Sequence, residues 1–236
     1  MQKLAGAHRH DILQLMQGND CVGVELGVAA GEFSARMVAS GRFREFFGVD
    51  MYADSHDTAQ YKAALRRVGL HENYKLLRMS FDEAYDLFED ESLDFIYIDG
   101  YAHSGQEGGD TIWKWARKVK IGGLIAGDDY HEDWPLVKEA VDRFLDFTGF
   151  EGHVTTEVEP DINYAAHPTW GATKSAPVTG EAPEDLLQRG KAAADRVAAK
   201  RAAGRKASSV IHRLVGDARY QRLREWNRAR KARNRG

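Results

Sequence analysis

The sequence predicts a doubly wound α/β fold: a mostly parallel sheet with helices on both faces, followed by a basic helical extension. Three observations carry this expectation. Short apolar runs alternate with helix-like stretches through roughly the first 175 residues. Most of these runs end in an acid or a glycine. The composition then changes after "SAPVTGEAPEDL", beyond which Ala, Arg and Lys dominate.

The apolar runs are "CVGVEL" (21–26), "EFFGVD" (45–50), "YKLLRM" (74–79), "LDFIYID" (93–99) and "GGLIAGDD" (122–129). Between them lie "GEFSARMVAS", "DTAQYKAALRRVG", "FDEAYDLF" and "GGDTIWKWARKVK". Strands separated by helix-length segments imply βαβ units, which join parallel strands by right-handed crossovers. "WPLVKEAVDRFLDF" reads as a further helix, with Pro135 near its start, where a missing N–H is harmless. "HVTTEVE" and the cleaner "TWGATK" (169–174) are candidates for an antiparallel pair that closes the sheet. No internal repeat is present.

The chain has 236 residues, 43% of them hydrophobic, enough for one well-buried core and an appendage. No apolar run is long enough to span a membrane. The first residues, "MQKLAGAHRHDILQLM", lack the apolar centre of a signal peptide. Cys21 is the one cysteine, so no internal disulfide can form. Both facts fit a cytoplasmic protein. The net charge of −3 hides an asymmetry: residues 186–236 hold sixteen basic and three acidic side chains, while the rest holds seventeen and thirty-three. The expected organisation is a body over residues 1–178 and a linker with a basic, mostly helical tail over 179–236.

In a doubly wound sheet, ligands bind beyond the carboxyl ends of the strands, where strand order reverses. The first such end is "VELGVAAGEFS". Gly27 permits a tight turn, and Gly31 permits close approach of a ligand or of the helix to the sheet. The spacing is GxxxG, which departs from the dinucleotide pattern GxGxxG, and no GK[ST] follows to make a phosphate loop. Asp50 ends the next strand, placed to accept both hydroxyls of a ribose. A purely structural turn is the alternative for each feature alone; in this order they point to an adenosine-type ligand.

Taken together, "VGVELGVAAGEFS", "FFGVD", "LDFIYIDGYAHS" and "GGLIAGDDY" resemble the class I S-adenosylmethionine-dependent methyltransferases. The match is to a metal-dependent O-methyltransferase-like subgroup with DGxH and GGxIxxDDY motifs, over about residues 20–175. The resemblance implies a seven-stranded sheet with a reversed last hairpin. It implies that Glu25, Gly27 and Gly31 surround the methionine part of the cofactor, that Asp50 holds its ribose, and that Ser80, beside Met79, lies near the adenine.

Asp99 and Asp128 end what should be neighbouring strands, and Asp129 follows directly. Carboxylates this close repel one another unless compensated. A hard divalent cation with oxygen ligands, Mg²⁺ first, is one resolution; the other is that Asp129 caps the next helix and Asp99 bonds loop amides. A metal there would lower the pKa of a substrate hydroxyl and aim it at the methyl group. His103, just past Asp99 in "DGYAHS", is the candidate base, with one residue more before it than the related pattern has; His131 is the runner-up. Tyr101, Tyr130, Trp134, His167 and Trp170 are candidates for an acceptor pocket, with ordinary packing the better reading of the two tryptophans. Trp113 and Trp115 lie two apart on one helix, so at most one is expected in the core.

The tail has a partial apolar face in Ile211, Leu214, Val215, Leu223 and Trp226. It suits loose packing on the acidic body or a second copy of the chain, or docking to an anionic partner. The sequence thus points to an enzyme that methylates a hydroxyl on a sugar, a glycan precursor or a secondary metabolite, with S-adenosylmethionine and Mg²⁺ as cofactors. A nucleic-acid methyltransferase that uses the tail, or a protein that binds the cofactor without catalysis, are the alternatives.

Overall fold

Alternation of side chains along the central strands decides which face each residue serves. In the computed structural model, Phe95 and Tyr97 of β5 (Leu93–Ile98) point to one face of the sheet, and Ile96 and Ile98 to the other. Leu124 and Ala126 of β6 (Val119–Gly127) divide from Ile125 in the same way. The structure describes residues 1–53, 56–159 and 165–215, with the side chains of 204–215 left out of the description.

The other strands are β1 (Gln2–Leu4), β2 (Cys21–Leu26), β3 (Phe43–Val49), β4 (Tyr74–Leu77), β7 (Gly152–Thr155) and β8 (Trp170–Thr173). They form one eight-stranded sheet in the order β1-β7-β8-β6-β5-β2-β3-β4. Only β8 runs antiparallel to its neighbours. The expected seven strands are all present, and the eighth is β1, an N-terminal edge strand parallel to β7. With three residues it is too short to carry a recognisable alternation.

One face is covered by a 3₁₀ helix, Arg9–Leu15, and by α1 (Glu32–Ala39); Ile12, Leu13, Phe33 and Met37 pack on Phe43, Phe46 and Phe95. The other is covered by α3 (Phe81–Tyr85), a single turn α4 (Gly105–Gly108), α5 (Asp110–Lys118) and α6 (Pro135–Thr148). The remaining helices are α2 (Thr58–Arg67), capped by Asp57, and α7 (Glu184–Val215). Pro135 does occupy the first turn of α6.

Both Trp113 and Trp115 are in the core, at 1% exposure, against the expectation of one. The helix α5 is covered on two sides: Trp113 packs edge-on to Phe144 of α6, and Trp115 edge-on to Tyr85 of α3. The body also runs further than residue 178. The chain divides into a unit of residues 1–192 and a second of 193–236. Val178, Ala182 and Leu186 are buried, so the stretch expected as a free linker belongs to the first unit. Leu223 and Trp226 of the tail lie outside the described residues, as do the side chains of Ile211, Leu214 and Val215. Among the described residues no helix is long and apolar enough to cross a membrane.

Candidate functional site

Strand order reverses between β2 and β5: the chain runs from β2 outward to β3 and β4, then returns to β5 and β6 on the other side. The loop after β2 therefore meets the end of β5, at the kind of crevice where such sheets bind ligands. Gly27 has φ +98, and a Cβ on it would lie 1.9 Å from the Asp99 carbonyl oxygen. Only glycine fits that crossing. Gly31 opens α1 with φ +80, and its Cβ would press on Ala64 and Val68. The two glycines thus shape the loop by separate constraints.

Asp50 is 3% exposed. It accepts from the backbone N–H of Val28 (3.1 Å), Ala29 (3.0 Å) and Tyr52 (2.9 Å), and pairs with His56 Nδ1 at 2.6 Å. Burial pushes its pKa up, but His56 and these amides outweigh burial and hold the carboxyl below its ordinary range. The acid expected at the ribose is thus ionised and already ties the glycine loop to β3. His56 has 27% of its side chain accessible.

Glu25 faces the other way. It is 1% exposed and hydrogen-bonds Ser34 Oγ, which also bonds the Tyr74 hydroxyl at 2.9 Å. Burial pushes its pKa up to about 8. Glu25 lies beneath the loop, where it supports the turn. Ser80 caps α3 through a reciprocal pair with Glu83, whose N–H reaches Ser80 Oγ at 3.2 Å. That cap occupies the hydroxyl expected near the adenine.

Asp99 and Asp128 are neighbours, as the pairing of Ile98 with Gly127 requires. Donor atoms of Asp99, Asp128 and Asp129 lie within 4.8 Å of one another. A cation is already among them, from an unexpected source. Arg9 of the 3₁₀ helix places Nη2 2.5 Å from Asp99 and Nη1 3.0 Å from Asp128 Oδ2. Its guanidinium lies 4.7 Å from the Phe33 ring centroid and 4.9 Å from that of Tyr97, with the side chain 4% exposed. Asp128 Oδ1 accepts from Thr169 Oγ1 at 3.2 Å and from the Tyr97 hydroxyl at 3.4 Å. Arg9 stands 90 and 119 residues away from these acids, so no local spacing could reveal it; the crowding of like charges was the available signal.

This arrangement does not fit a three-carboxylate Mg²⁺ site. Both Asp128 oxygens are engaged, Asp99 Oδ2 is held by Arg9, and a dication would sit against a buried guanidinium. Asp129 (φ +65) is the one acid of the three without an ion pair among the described residues. Burial, then the charges of Asp128 and Asp99, push its pKa above the ordinary carboxylate range. Burial, and then Asp99, also push Asp128 upward, against the pull of Arg9.

His103 lies just past Asp99 in a short 3₁₀ turn, Ala102–Ser104, half-buried and edge-on to Tyr101 at 6.4 Å. Tyr130, His131, Trp134 and His167 gather at the mouth, where Tyr130 N–H donates to the Pro168 carbonyl at 3.1 Å. Tyr130 and His131 line a cavity of about 470 Å³. Trp170 is fully buried and takes no part in it.

Comparison with known proteins sharpens this picture. Residues 24–130 match the family described as "Methyltransferase domain". That stretch holds the glycine loop, Asp50, Asp99 and both acids after β6. No curated protein matches the chain. Among solved structures, the fold resembles a SAM-dependent O-methyltransferase from Thermotoga maritima (TM-score 0.51, 17% identity, 72% of this chain and 64% of that one). It also resembles the O-methyltransferase from Bacillus cereus in complex with SAH (0.51, 14%, 70% and 78%). A spermidine synthase from Thermotoga maritima is similar as well (0.55, 14%, 72% and 60%). The chain thus spans less than two thirds of the length of the two Thermotoga proteins. At these identities the likeness concerns the fold, which one of the three uses under the name of a different enzyme.

Proposed function

We propose that this protein is an S-adenosylmethionine-dependent methyltransferase that acts on a hydroxyl oxygen of a small acceptor such as a sugar, a glycan precursor or a secondary metabolite. The observation that carries the reading is the convergence of the glycine loop, Asp50 and Asp99 at the strand-order reversal, all within the stretch that matches a methyltransferase domain. The residues suit the cofactor. Gly27 leaves room where a side chain would fill the crossing, and Asp50 is an ionised acceptor at the end of β3. Ribose hydroxyls taking the place of His56 would keep that carboxylate satisfied.

Bound S-adenosylmethionine would supply an electrophilic methyl group. The chain's own part is to position the acceptor and take its proton. His103, at the end of β5, is the proposed base. Arg9 holds Asp99 and Asp128 in place and supplies the positive charge that the sequence reading assigned to Mg²⁺. The acceptor would enter beside Tyr130 and His131, where the cavity opens. The basic tail is proposed as the part that meets an anionic partner, separate from the chemistry.

The test is calorimetric titration of the full chain with S-adenosylhomocysteine, with Mg²⁺ and again with chelator. Saturable one-to-one binding is expected, equal in both buffers. Asp50→Ala should weaken it by at least about tenfold, the scale of hydrogen bonds to a charged acceptor. Absence of binding would sink the proposal; binding that needs Mg²⁺ would restore a metal to the acid cluster.

A further inference from the structure

Two histidines outside the acid cluster face each other at the mouth. His131 follows β6 and His167 precedes β8; their ring centroids are 5.0 Å apart. Asp133 stands beside them, with Oδ2 3.4 Å from His131 Nδ1. One donor atom from each of the three lies within 4.8 Å of the others. A spacing of 3.4 Å suits two donors on one tetrahedral ion with bonds of about 2.0–2.1 Å.

We propose that His131, Asp133 and His167 form a binding site for a borderline transition-metal dication of the Zn²⁺ or Co²⁺ kind. An ordinary ion pair between His131 and Asp133 would explain those two residues. It leaves the approach of His167 to the same point unexplained. His167 has no hydrogen-bond partner among the described residues, and its ring stands 5.0 Å from that of His131. The Asp133 N–H donates to His131 Nδ1 at 3.2 Å, a bond that an ion at that nitrogen would displace.

The donor set selects the ion. Imidazole nitrogen suits Zn²⁺, Co²⁺ and Ni²⁺, whereas Mg²⁺ prefers oxygen throughout. The frame is already in place: the Tyr130–Pro168 backbone bond joins the two loops, and Trp134 stands edge-on to His167 at 6.2 Å as an apolar wall. Three protein ligands leave a fourth position open. His131 also lines the adjoining cavity with Tyr130, Lys138 and Thr155, so the ligand suited to that position is a hydroxyl or carboxylate oxygen of a small molecule held there.

The test needs no methyl transfer, so it stands apart from the function proposed above. The full chain, stripped with chelator, is titrated with Co²⁺ and followed by visible absorption. One equivalent should produce tetrahedral bands, which Zn²⁺ bleaches and excess Mg²⁺ leaves unchanged. His131→Ala and His167→Ala should each weaken Co²⁺ by at least about 100-fold, and Asp133→Asn by about tenfold, on the scale by which metal sites respond to lost ligands and supports. His167→Gln, on a surface loop, gives the same reading if circular dichroism shows that His131→Ala disturbs the fold. No saturable Co²⁺ binding at submillimolar concentration, or binding retained by the double histidine variant, overturns the proposal.

Discussion

Glu25 lies on β2 beside Gly48 of β3, and Asp50 follows the end of that second strand. Their carboxyls are driven in opposite directions. Asp50 meets three amides and His56, so its ionised form prevails. Among the described residues Glu25 meets one hydroxyl pair and no cation at hydrogen-bond distance, so burial keeps it protonated up to about pH 8. The folded state thus holds a proton that the unfolded chain releases near the ordinary value of 4.5. Stability from this group is complete below that value and is lost as pH rises toward 8, by up to about 1.4 kcal/mol per pH unit. Glu25→Gln, neutral throughout, should remove this slope. Urea unfolding of both proteins from pH 5 to 8 would show the wild type losing stability relative to the variant; parallel curves would refute a buried neutral Glu25. At this scale the sequence was readable where a residue ended a strand: Gly27, Asp50, Asp99 and Asp128 all stand at the reversal point. Glu25 and Ser80 were harder, because the sequence does not reveal whether a side chain beside a site faces it, lies beneath it or caps a helix.

Among the elements, the strands were legible because apolar runs stop abruptly at Gly or Asp, and α2 because "DTAQYKAALRRVG" has a helical composition; the structure adds a reciprocal cap of Asp57 and Gln60. The segment after β5 was not. Gly105, Gln106, Glu107 and Gly108 all have positive φ, between 56 and 67, so α4 is a left-handed turn. Such a turn is strained for the two residues that carry a Cβ. It persists because neighbours press on it from two sides: a Cβ on Gly105 would meet Leu136 of α6 at 2.7 Å, and one on Gly108 would meet the Leu186 carbonyl oxygen of α7 at 2.3 Å. Gln106 is 1% exposed and donates to the Ile98 carbonyl at 3.3 Å, fixing the turn to the end of β5. Gly149 offers a control, with φ +70 and nothing within 4 Å of its Cβ position. Gly149→Ala should cost about 1 kcal/mol, the backbone effect alone. Gly108→Ala should cost about 3 kcal/mol or more, because a backbone carbonyl cannot move aside. Equal losses in chemical denaturation would mean that contact with α7 does not hold the turn.

Across the whole molecule, Arg9 joins the N-terminal segment to the ends of two central strands. The 3₁₀ helix sets Ile12 and Leu13 into one face of the sheet, and that docking delivers Arg9 to the acids. The sequence showed the acids and offered a cation as one way to offset them, but not its source, since ion pairs across this separation depend on the completed fold. Two consequences follow from a buried guanidinium shared by Asp99 and Asp128. Removing it leaves like charges in a poorly solvated place, so Arg9→Met should lose about 3–5 kcal/mol at neutral pH, the scale of a broken buried pair. The deficit should shrink in acid, because protonating the carboxyls removes their repulsion. The variant also frees Asp99 and Asp128, beside Asp129, for a hard cation. Millimolar Mg²⁺ should therefore raise the melting temperature of Arg9→Met while leaving that of the wild type unchanged, since a ligand stabilises only the form that binds it. Equal stabilisation of both proteins would mean that Arg9 and a metal share the cluster, and the acids would then regain the role that the sequence alone assigned them.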